Sequence, residues 1–537
     1  MNIKLKYQHI ATIVTVLTFM FSCTNELWDE HYSSNTTQKS DKSIYEYIQS
    51  RSDLSIFDTM LKITGYDSVL NQPNTYTVWA PTNSYLTDID LTDSIAVWRL
   101  VTNHITKYSN ATVVLQNSDK TFTMLNSKLL EFAKQNSNFT FDGLLVKEPN
   151  LAMRNGIIHI LDNVAMYRPN FREFLNESQG IDSIKNYVNS LTTKELNTSL
   201  SFKDGVFVDS IFKYSNPVID KLAALDVEDS IYTAFFPTNA GWAEAMQRIR
   251  PYYKCVIDKK LPIDSGAVFQ EKFAKWTLVS ELFFREKLST PVNAEYITST
   301  NGTKYENPDR LFEGATAHAM SNGTCYTTDL LKYTAAETWN KNIIIEAEDS
   351  KYGRLLSNYA GSSIQNLNSS YDISNKYFLS LTPSTSSPLS TLFAQFPLPN
   401  TLSTNYNVYC VFVPTAIVDS TDKRPYKVKF YINYIDNKNA SGVAVPTGFP
   451  VVKATVDANN NLQSPNKISA TFTTDGKTLQ KMLVVKNLTL PFCNIYQNSK
   501  SPVTFSVMVQ NAAGVTEVRN YNRNIRIDCI ILEPVNQ

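Results

Sequence analysis

Two apolar runs ending in the same tripeptide organise the chain. Tyr76-Thr77-Val78-Trp79-Ala80 leads into Pro81-Thr82-Asn83, and 156 residues later Tyr232-Thr233-Ala234-Phe235-Phe236 leads into Pro237-Thr238-Asn239. Short runs of aromatic and β-branched residues bounded by Pro and Asn predict buried strands that end in a turn or a helix start. Ahead of the first run, Ser43 followed by Glu46 predicts a capping box, with Ile44, Tyr47 and Ile48 on one helical face. Leu54, Phe57, Met60, Leu61 and Ile63 continue at helical spacing to Gly65, a residue suited to a left-handed helix end. Ile95, Val97, Leu100, Val101 and Ile105 predict a further helical face that carries His104. Strand-like runs follow at 122–125, 129–132, 139–141 and 144–146. The turn Asn155-Gly156 then opens the apolar strand Ile157-Ile158-His159-Ile160-Leu161 before Asp162.

A second pass begins at Asn170-Phe171-Arg172-Glu173-Phe174-Leu175, another helical opening. Behind Asn239, residues Trp242, Met246 and Ile249 share a helical face. A charged helical stretch, 269–285, takes the place of the His104 segment without a histidine. The closing strand returns at Asn322-Gly323-Thr324-Cys325-Tyr326, with Tyr326 where the first copy has His159. Its offset from the first closing strand is 167 residues against 156 for the Pro-Thr-Asn motif, so the second copy should carry about 11 extra residues between its motifs. From about residue 341 the pattern becomes short strands, at 343–348, 377–381, 392–396, 406–414, 426–435, 468–473, 480–488, 503–510 and 525–532. With Ser, Asn and Pro turns between them, these predict an all-β sandwich.

Lys+Arg and Asp+Glu each number 50, so no net charge steers the chain toward nucleic acid. Aromatic content of 12% fits β-rich cores first and binding surfaces second. Six cysteines show no CxxC spacing, which leaves zinc and dithiol redox motifs unsupported. Cys410, Cys493 and Cys529 lie in apolar, strand-like runs and read as buried small hydrophobes, with one disulfide open in an oxidising compartment. At the start, Lys4 and Lys6 precede the apolar stretch Ile10–Phe21, too short to cross a bilayer and suited to a signal peptide.

Three resemblances follow from these residues. A strand ending Ala-Pro-Thr-Asn, a helical segment with His104 and a closing Asn-Gly-apolar-His-apolar-Asp strand resemble a fasciclin domain, and the second copy looks like a divergent one. The family implies compact α/β domains that mediate adhesion or bind extracellular partners. Its signature positions here are Thr82, Asn83, His104, Asn155, Gly156, His159 and Asp162, with Thr238, Asn239, Asn322 and Gly323 in the second copy. His104 and His159 could contact a ligand or sense pH. The alternative reading is preferred: both satisfy buried backbone groups, Thr82-Asn83 caps the next element and Asp162 braces a turn, because two histidines without a nucleophile make no site. The opening Ile-Glu-Ala-Glu at 345–348 and the closing Ile-Asp at 527–528 resemble the first and last strands of jelly-roll carbohydrate-binding modules. That family implies a structural Ca²⁺, for which Glu346, Glu348 and Asp528 are the matching oxygen donors. Ser22-Cys23 after the apolar stretch resembles a bacterial lipoprotein cleavage site, with Cys23 as the acylated residue. Acidic Glu26, Asp29 and Glu30 behind it resemble a surface-export signal of Gram-negative lipoproteins.

The expected fold class is α+β multidomain: two fasciclin-like α/β domains followed by an all-β jelly-roll sandwich. Expected boundaries are a signal peptide at 1–22, an acylated tether at 23–42, repeats at 43–169 and 170–340, and the sandwich at 341–537. No phosphate loop, GxSxG elbow, HExxH or EF-hand loop occurs, so no enzyme and no required cofactor are expected; the structural Ca²⁺ stays what the jelly-roll resemblance implies, the alternative being solvated carboxylates on a generic sandwich. The function expected is glycan binding by a lipid-anchored protein exposed on the outer membrane, accessory to a TonB-dependent uptake system. The alternative is a fasciclin-type adhesion or protein-interaction module with an outer-membrane protein partner. Asp-Ser/Thr followed by an aliphatic residue recurs, as at Asp93-Ser94-Ile95 and Asp182-Ser183-Ile184. It resembles an O-glycosylation sequon and equally fits helix capping.

Overall fold

The computed structural model describes residues 39–115, 118–203, 206–207, 212–255, 265–366, 371–384, 392–435, 451–495 and 505–535. The leader, Cys23 and most of the tether lie outside the described residues. The described residues fall into two compact units, divided between Pro169 and Asn170.

In the first unit Ser43 and Glu46 form the capping box that starts helix Ile44–Gln49, and Gly65, at φ +75°, ends helix Ser55–Thr64. Helix Ser94–Asn103 packs beside them. Seven strands form one sheet: β1 (Tyr76–Pro81), β2 (Ile105–Lys107), β3 (Lys120–Thr123), β4 (Leu129–Gln135), β5 (Asn138–Phe141), β6 (Leu144–Met153) and β7 (Gly156–Leu161), in the order β2-β1-β7-β6-β5-β4-β3. The Pro-Thr-Asn strand and the closing strand are neighbours: β1 and β7 pair in parallel, Tyr76 opposite Gly156 through Pro81 opposite Leu161. Two buried strands pairing in parallel explain why both read as continuous apolar runs. One core lies between the helices and this sheet, and a second, centred on Trp79, Phe132 and Phe141, lies under the β3–β6 hairpins.

The second copy repeats the plan at the start of unit two. Strand Tyr232–Pro237 pairs in parallel with Gly323–Thr328, Tyr232 opposite Gly323. Corresponding contacts locate the length difference. Trp79 N–H donates to His104 O, and Phe235 N–H donates to Leu282 O. Thr77 Oγ1 donates to Tyr108 O and accepts from Asn110 N–H; Thr233 Oγ1 does the same with Glu286 O and Leu288 N–H. The offset therefore rises from 156 at the first motif to 178 at His104/Leu282 and falls to 167 at the closing strand. The 11 extra residues are the net of about 22 added before this point and about 11 removed after it. Only four strands remain in this sheet, because the stretch that builds β3–β5 in the first copy is here the small hairpin Tyr296–Thr298/Lys304–Glu306. The charged helix spans Ser265–Val279 instead of reaching 285; Glu281 and Leu282 form a buried turn, and Phe283–Phe284 is a strand.

The remainder is a two-sheet antiparallel sandwich. One sheet runs Tyr359–Asn366, Tyr377–Pro383, Ile525–Pro534, Asn405–Phe412, Gln480–Thr489, with Ile343–Glu346 also on Ile525–Pro534. The other runs Leu355–Ser357, Phe393–Pro397, Ser506–Asn511, Lys427–Ile435, Val451–Val456, Leu462–Gln463, with Phe472–Thr473 on Lys427–Ile435. The architecture is α+β multidomain, two related α/β domains and a β-sandwich. Pattern reading missed 355–357, 359–366, 451–456 and 462–463. It also placed a strand at 468–473 where only 472–473 forms and Ile468 is 85% exposed. Strand Tyr359–Asn366 carries almost no buried side chain, so alternation has nothing to register; backbone pairing with Tyr377–Pro383 holds it in place.

Candidate functional site

The repeated motif residues act as pins. Asn155 Oδ1 accepts from Ile44 N–H at 2.8 Å, while Nδ2 donates to Leu70 O and Gln72 O. Asn322 does the same in the second copy, with Phe171 N–H, Leu225 O and Val227 O. Each amide joins the first helix of its copy to the loop before the Pro-Thr-Asn strand. Beside them Gly156 and Gly323 have φ +148° and +144°, and a Cβ there would lie 2.0 and 1.9 Å from the carbonyl oxygens of Tyr76 and Tyr232. Only glycine fits so close an approach.

Asn83 and Asn239 reach back to the preceding helix, accepting from Ile56 N–H and Ser183 N–H at 2.9 Å. Thr238 caps the helix that follows it, accepting from Gly241 N–H and donating to Asp329. Thr82 makes no such cap: its hydroxyl meets Ser84 Oγ, and the element behind it is a single 3₁₀ turn. The capping role read for Thr82-Asn83 is thus corrected to Asn83 alone, acting on the earlier helix. Asp162 accepts from Tyr85 OH at 3.3 Å.

His104 sits one residue past the end of its helix, fully buried. Its Nδ1 donates to Leu100 O at 2.8 Å and its Nε2 accepts from Ala165 N–H at 3.0 Å. His159 donates from Nε2 to Asn110 O at 3.0 Å, accepts at Nδ1 from Asn150 N–H, and stacks on Trp79 with ring centroids 5.6 Å apart. Each ring offers one donor and one acceptor, the neutral form, and burial pushes both pKa values down to about 4. The second copy fills the same places with Leu282 and Tyr326. Tyr326 stacks on Phe235 at 5.3 Å and donates to Leu288 O, taking over the role of His159 Nε2. Neither imidazole faces solvent or a nucleophile, so these positions pack and orient.

The same helix that ends at His104 leaves Ile95 (64% exposed) and Trp98 (43%) facing outward one turn apart, and Ile63 on the neighbouring helix is also exposed. Sequence spacing placed Ile95 and Ile63 on buried faces; the structure leaves both exposed.

In the sandwich, the last strand carries two neighbours on one side. Tyr377–Pro383 pairs with its residues 525–527 and Ile343–Glu346 with 529–532. Between them lies a one-residue register shift against Asn405–Phe412: Phe412 faces Ile527 and Cys410 faces Ile530. This bulge re-aims the side chains. Inward alternation runs Ile525, Ile527, then Ile530, Leu532, leaving Asp528 and Cys529 at the junction. Glu346, Asp528 and Cys529 converge there, with one ligand atom from each within 4.8 Å of the others. Ser374 closes the gap, donating from Oγ to Glu346 Oε1 at 2.6 Å and from N–H to Asp528 Oδ2 at 3.3 Å.

Glu346 Oε2, Glu348 Oε2 and Asp528 Oδ1 are buried and meet no hydrogen-bond donor among the described residues. Three such oxygens are costly unless a proton or a cation neutralises them. Burial, with Glu346 and Glu348 nearby, pushes Asp528 up to about 7, and burial raises Glu348. Burial and Asp528 likewise keep the Cys529 thiol protonated, so the set offers hard oxygen donors and fits calcium in chemistry. Pattern reading named Glu346, Glu348 and Asp528 but missed Cys529 and Ser374; only the bulge and the strand junction bring those in.

Residues 52–167 match the model of the fasciclin domain. No curated protein matches the chain significantly. Among solved structures, the chain is similar to a FAS1 domain pair from the insect cell adhesion molecule Fasciclin I, at 12% identity, over 53% of this chain and 98% of that one, with a TM-score of 0.21. It is also similar to a family 35 carbohydrate-binding module from Clostridium thermocellum, at 10% identity, over 36% of this chain and 97% of that one, with a TM-score of 0.18. A further likeness is to an exo-β-1,3-galactanase from Phanerochaete chrysosporium, at 12% identity, over 36% of this chain and 29% of that one, TM-score 0.18. Residues 52–167 of the first α/β domain form a fasciclin domain, and its asparagine pins, close-approach glycine and parallel strand pair recur in the second copy.

Proposed function

We propose that the protein is a non-catalytic binding protein, acylated at Cys23 on the outer membrane, whose sandwich engages extracellular glycan at the cell surface. The observation that carries this reading is the sandwich edge strand Tyr359–Asn366, which has no further strand beside it among the described residues. Tyr359 and Tyr377 are exposed along the pair Tyr359–Asn366/Tyr377–Pro383, and Tyr371 is exposed just before it. Flat aromatic faces on a neutral, polar strand suit stacking on sugar rings. Ser374, between Tyr371 and Tyr377, links that edge to the carboxylate junction. A Ca²⁺ held there by Glu346 and Asp528, with the Glu348 carboxylate nearby, would supply charge neutralisation and fix the edge. In this role the protein serves as an accessory to a TonB-dependent glycan uptake system.

The test is retention of the soluble Cys23→Ser chain on a polysaccharide array. Binding that falls at least tenfold in Tyr371→Ala/Tyr377→Ala supports the reading; no retention by any polysaccharide sinks it. A second reading rests on Ile95 and Trp98, exposed one turn apart on a helix of the fasciclin domain, apolar side chains suited to a protein partner and hence to adhesion. Pull-down from outer-membrane extract with wild type and Trp98→Ala separates the two, since a stoichiometric protein lost only with Trp98→Ala favours the second.

A further inference from the structure

In the second unit a short segment of the α/β copy lies against the sandwich. Tyr252-Tyr253-Lys254-Cys255 leaves the helical end of the α/β copy and lies against two sandwich loops. Ser403 N–H donates to Tyr252 O at 2.8 Å, and Cys493 N–H donates to Lys254 O at 2.7 Å. Those loops are themselves bridged, Thr401 to Asn494. Leu402 and Cys493, from the sandwich, are buried in the core of the α/β copy. At this seam Cys255 Sγ and Cys493 Sγ lie 3.5 Å apart, at van der Waals contact. Cys493 is 2% exposed and Cys255 is half-buried. The other described cysteines, Cys325, Cys410 and Cys529, are buried in strands.

We propose that Cys255 and Cys493 form a disulfide that fastens the second fasciclin-like copy to the sandwich. Both sulfurs are already in contact on segments tied by backbone hydrogen bonds, so closing to a bond length near 2.05 Å needs side-chain rotation and a shift of about 1.5 Å. The half-exposed Cys255 is the point of entry. Its thiolate attacks one sulfur of a donor protein's disulfide, forming a mixed disulfide and releasing the donor's other sulfur as a thiolate. The Cys493 thiolate then attacks the Cys255 sulfur and expels the donor's second thiolate. The two protons lost by the cysteines pass through solvent to the donor, which leaves as a dithiol with two added electrons; the cysteine pair is oxidised by two. The bond closes a loop of 238 residues and makes the seam covalent.

Oxidation of the full soluble chain in a glutathione redox buffer, followed by alkylation and peptide mapping, tests this. The expected result is one cross-linked peptide joining Cys255 to Cys493, with Cys325, Cys410 and Cys529 alkylated after unfolding. The melting temperature of the oxidised chain should fall by several degrees on adding dithiothreitol, and that fall should vanish in Cys255→Ser. Full alkylation of both cysteines after oxidation, stable glutathione capping of Cys255, or a cross-link to another cysteine would each overturn the proposal. A dithiothreitol-dependent shift that persists in Cys255→Ser would do so as well. Peptide mapping of the wild-type chain needs no variant, so a poorly folding substitution leaves the test intact.

Discussion

Acidification should loosen the first fasciclin domain and spare the second copy. In the unfolded chain each histidine titrates near 6.5, whereas burial holds His104 and His159 near 4 in the folded domain. Between these values the unfolded state binds more protons, so stability contributed by each neutral ring is present above pH 6.5 and is lost as pH falls toward 4. At pH 5 each ring costs the fold about 2 kcal/mol relative to pH 8, about 4 kcal/mol together. That is a large share of the roughly 5–15 kcal/mol that stabilises a domain. The second copy is the internal control, with Leu282 and Tyr326 at these places and one half-exposed imidazole, His318, lowered by partial burial on its outer strand. Hydrogen exchange read by mass spectrometry, corrected for intrinsic rates, reports each copy separately, which a global melt of a two-unit chain does not. Amides of 76–80 and 156–161 should lose up to about 4 kcal/mol of protection between pH 8 and pH 5, while those of 232–236 and 323–328 change far less. The variant His104→Leu/His159→Tyr, which borrows the second copy's residues, should be less stable at pH 8 by about 1–3 kcal/mol and nearly flat in pH. Equal losses in the two copies, or an unchanged slope in the variant, would refute the assignment of these rings as buried neutral packing groups.

Two further outcomes are expected. Asn155→Ala strands one backbone N–H and two carbonyls and should cost about 2–4 kcal/mol of urea stability, with Asn322→Ala costing a similar amount in the other unit. Addition of Ca²⁺ should raise the sandwich melting temperature and chelation should reverse it. Asp528→Asn should abolish the response. Because Asp528, held near 7, must release its proton to bind, the shift should shrink between pH 8 and pH 6; a response unchanged in Asp528→Asn would place the ion elsewhere.

Much of the α/β architecture is written locally. Ser43/Glu46 and Asn170/Glu173 form capping boxes, Gly65 ends a helix, and the two apolar motifs become the strands they suggest. These signals survive because each depends on hydrogen bonds within one turn or on burial of a whole strand. Other features were hidden by the same logic. Ile95 has a helical spacing that fits the buried face, yet its orientation to the sheet leaves it outside. Strand Tyr359–Asn366 is specified by a neighbour's backbone, which sequence pattern does not report.

By itself, then, the sequence determined the repeat, the two apolar motif strands of each copy and the carboxylates in the first and last strands of the sandwich, all properties of residues near one another in the chain or of a repeated pattern. Tertiary structure alone decided that the two motifs of each copy pair in parallel, that Asn155 and Asn322 pin three segments, and that a bulge turns Asp528 and Cys529 toward Glu346. It also decided that Cys255 and Cys493 meet across a seam. The physical reason is that register shifts and long-range contacts depend on which backbone lies alongside, and a residue's own neighbours carry no record of that.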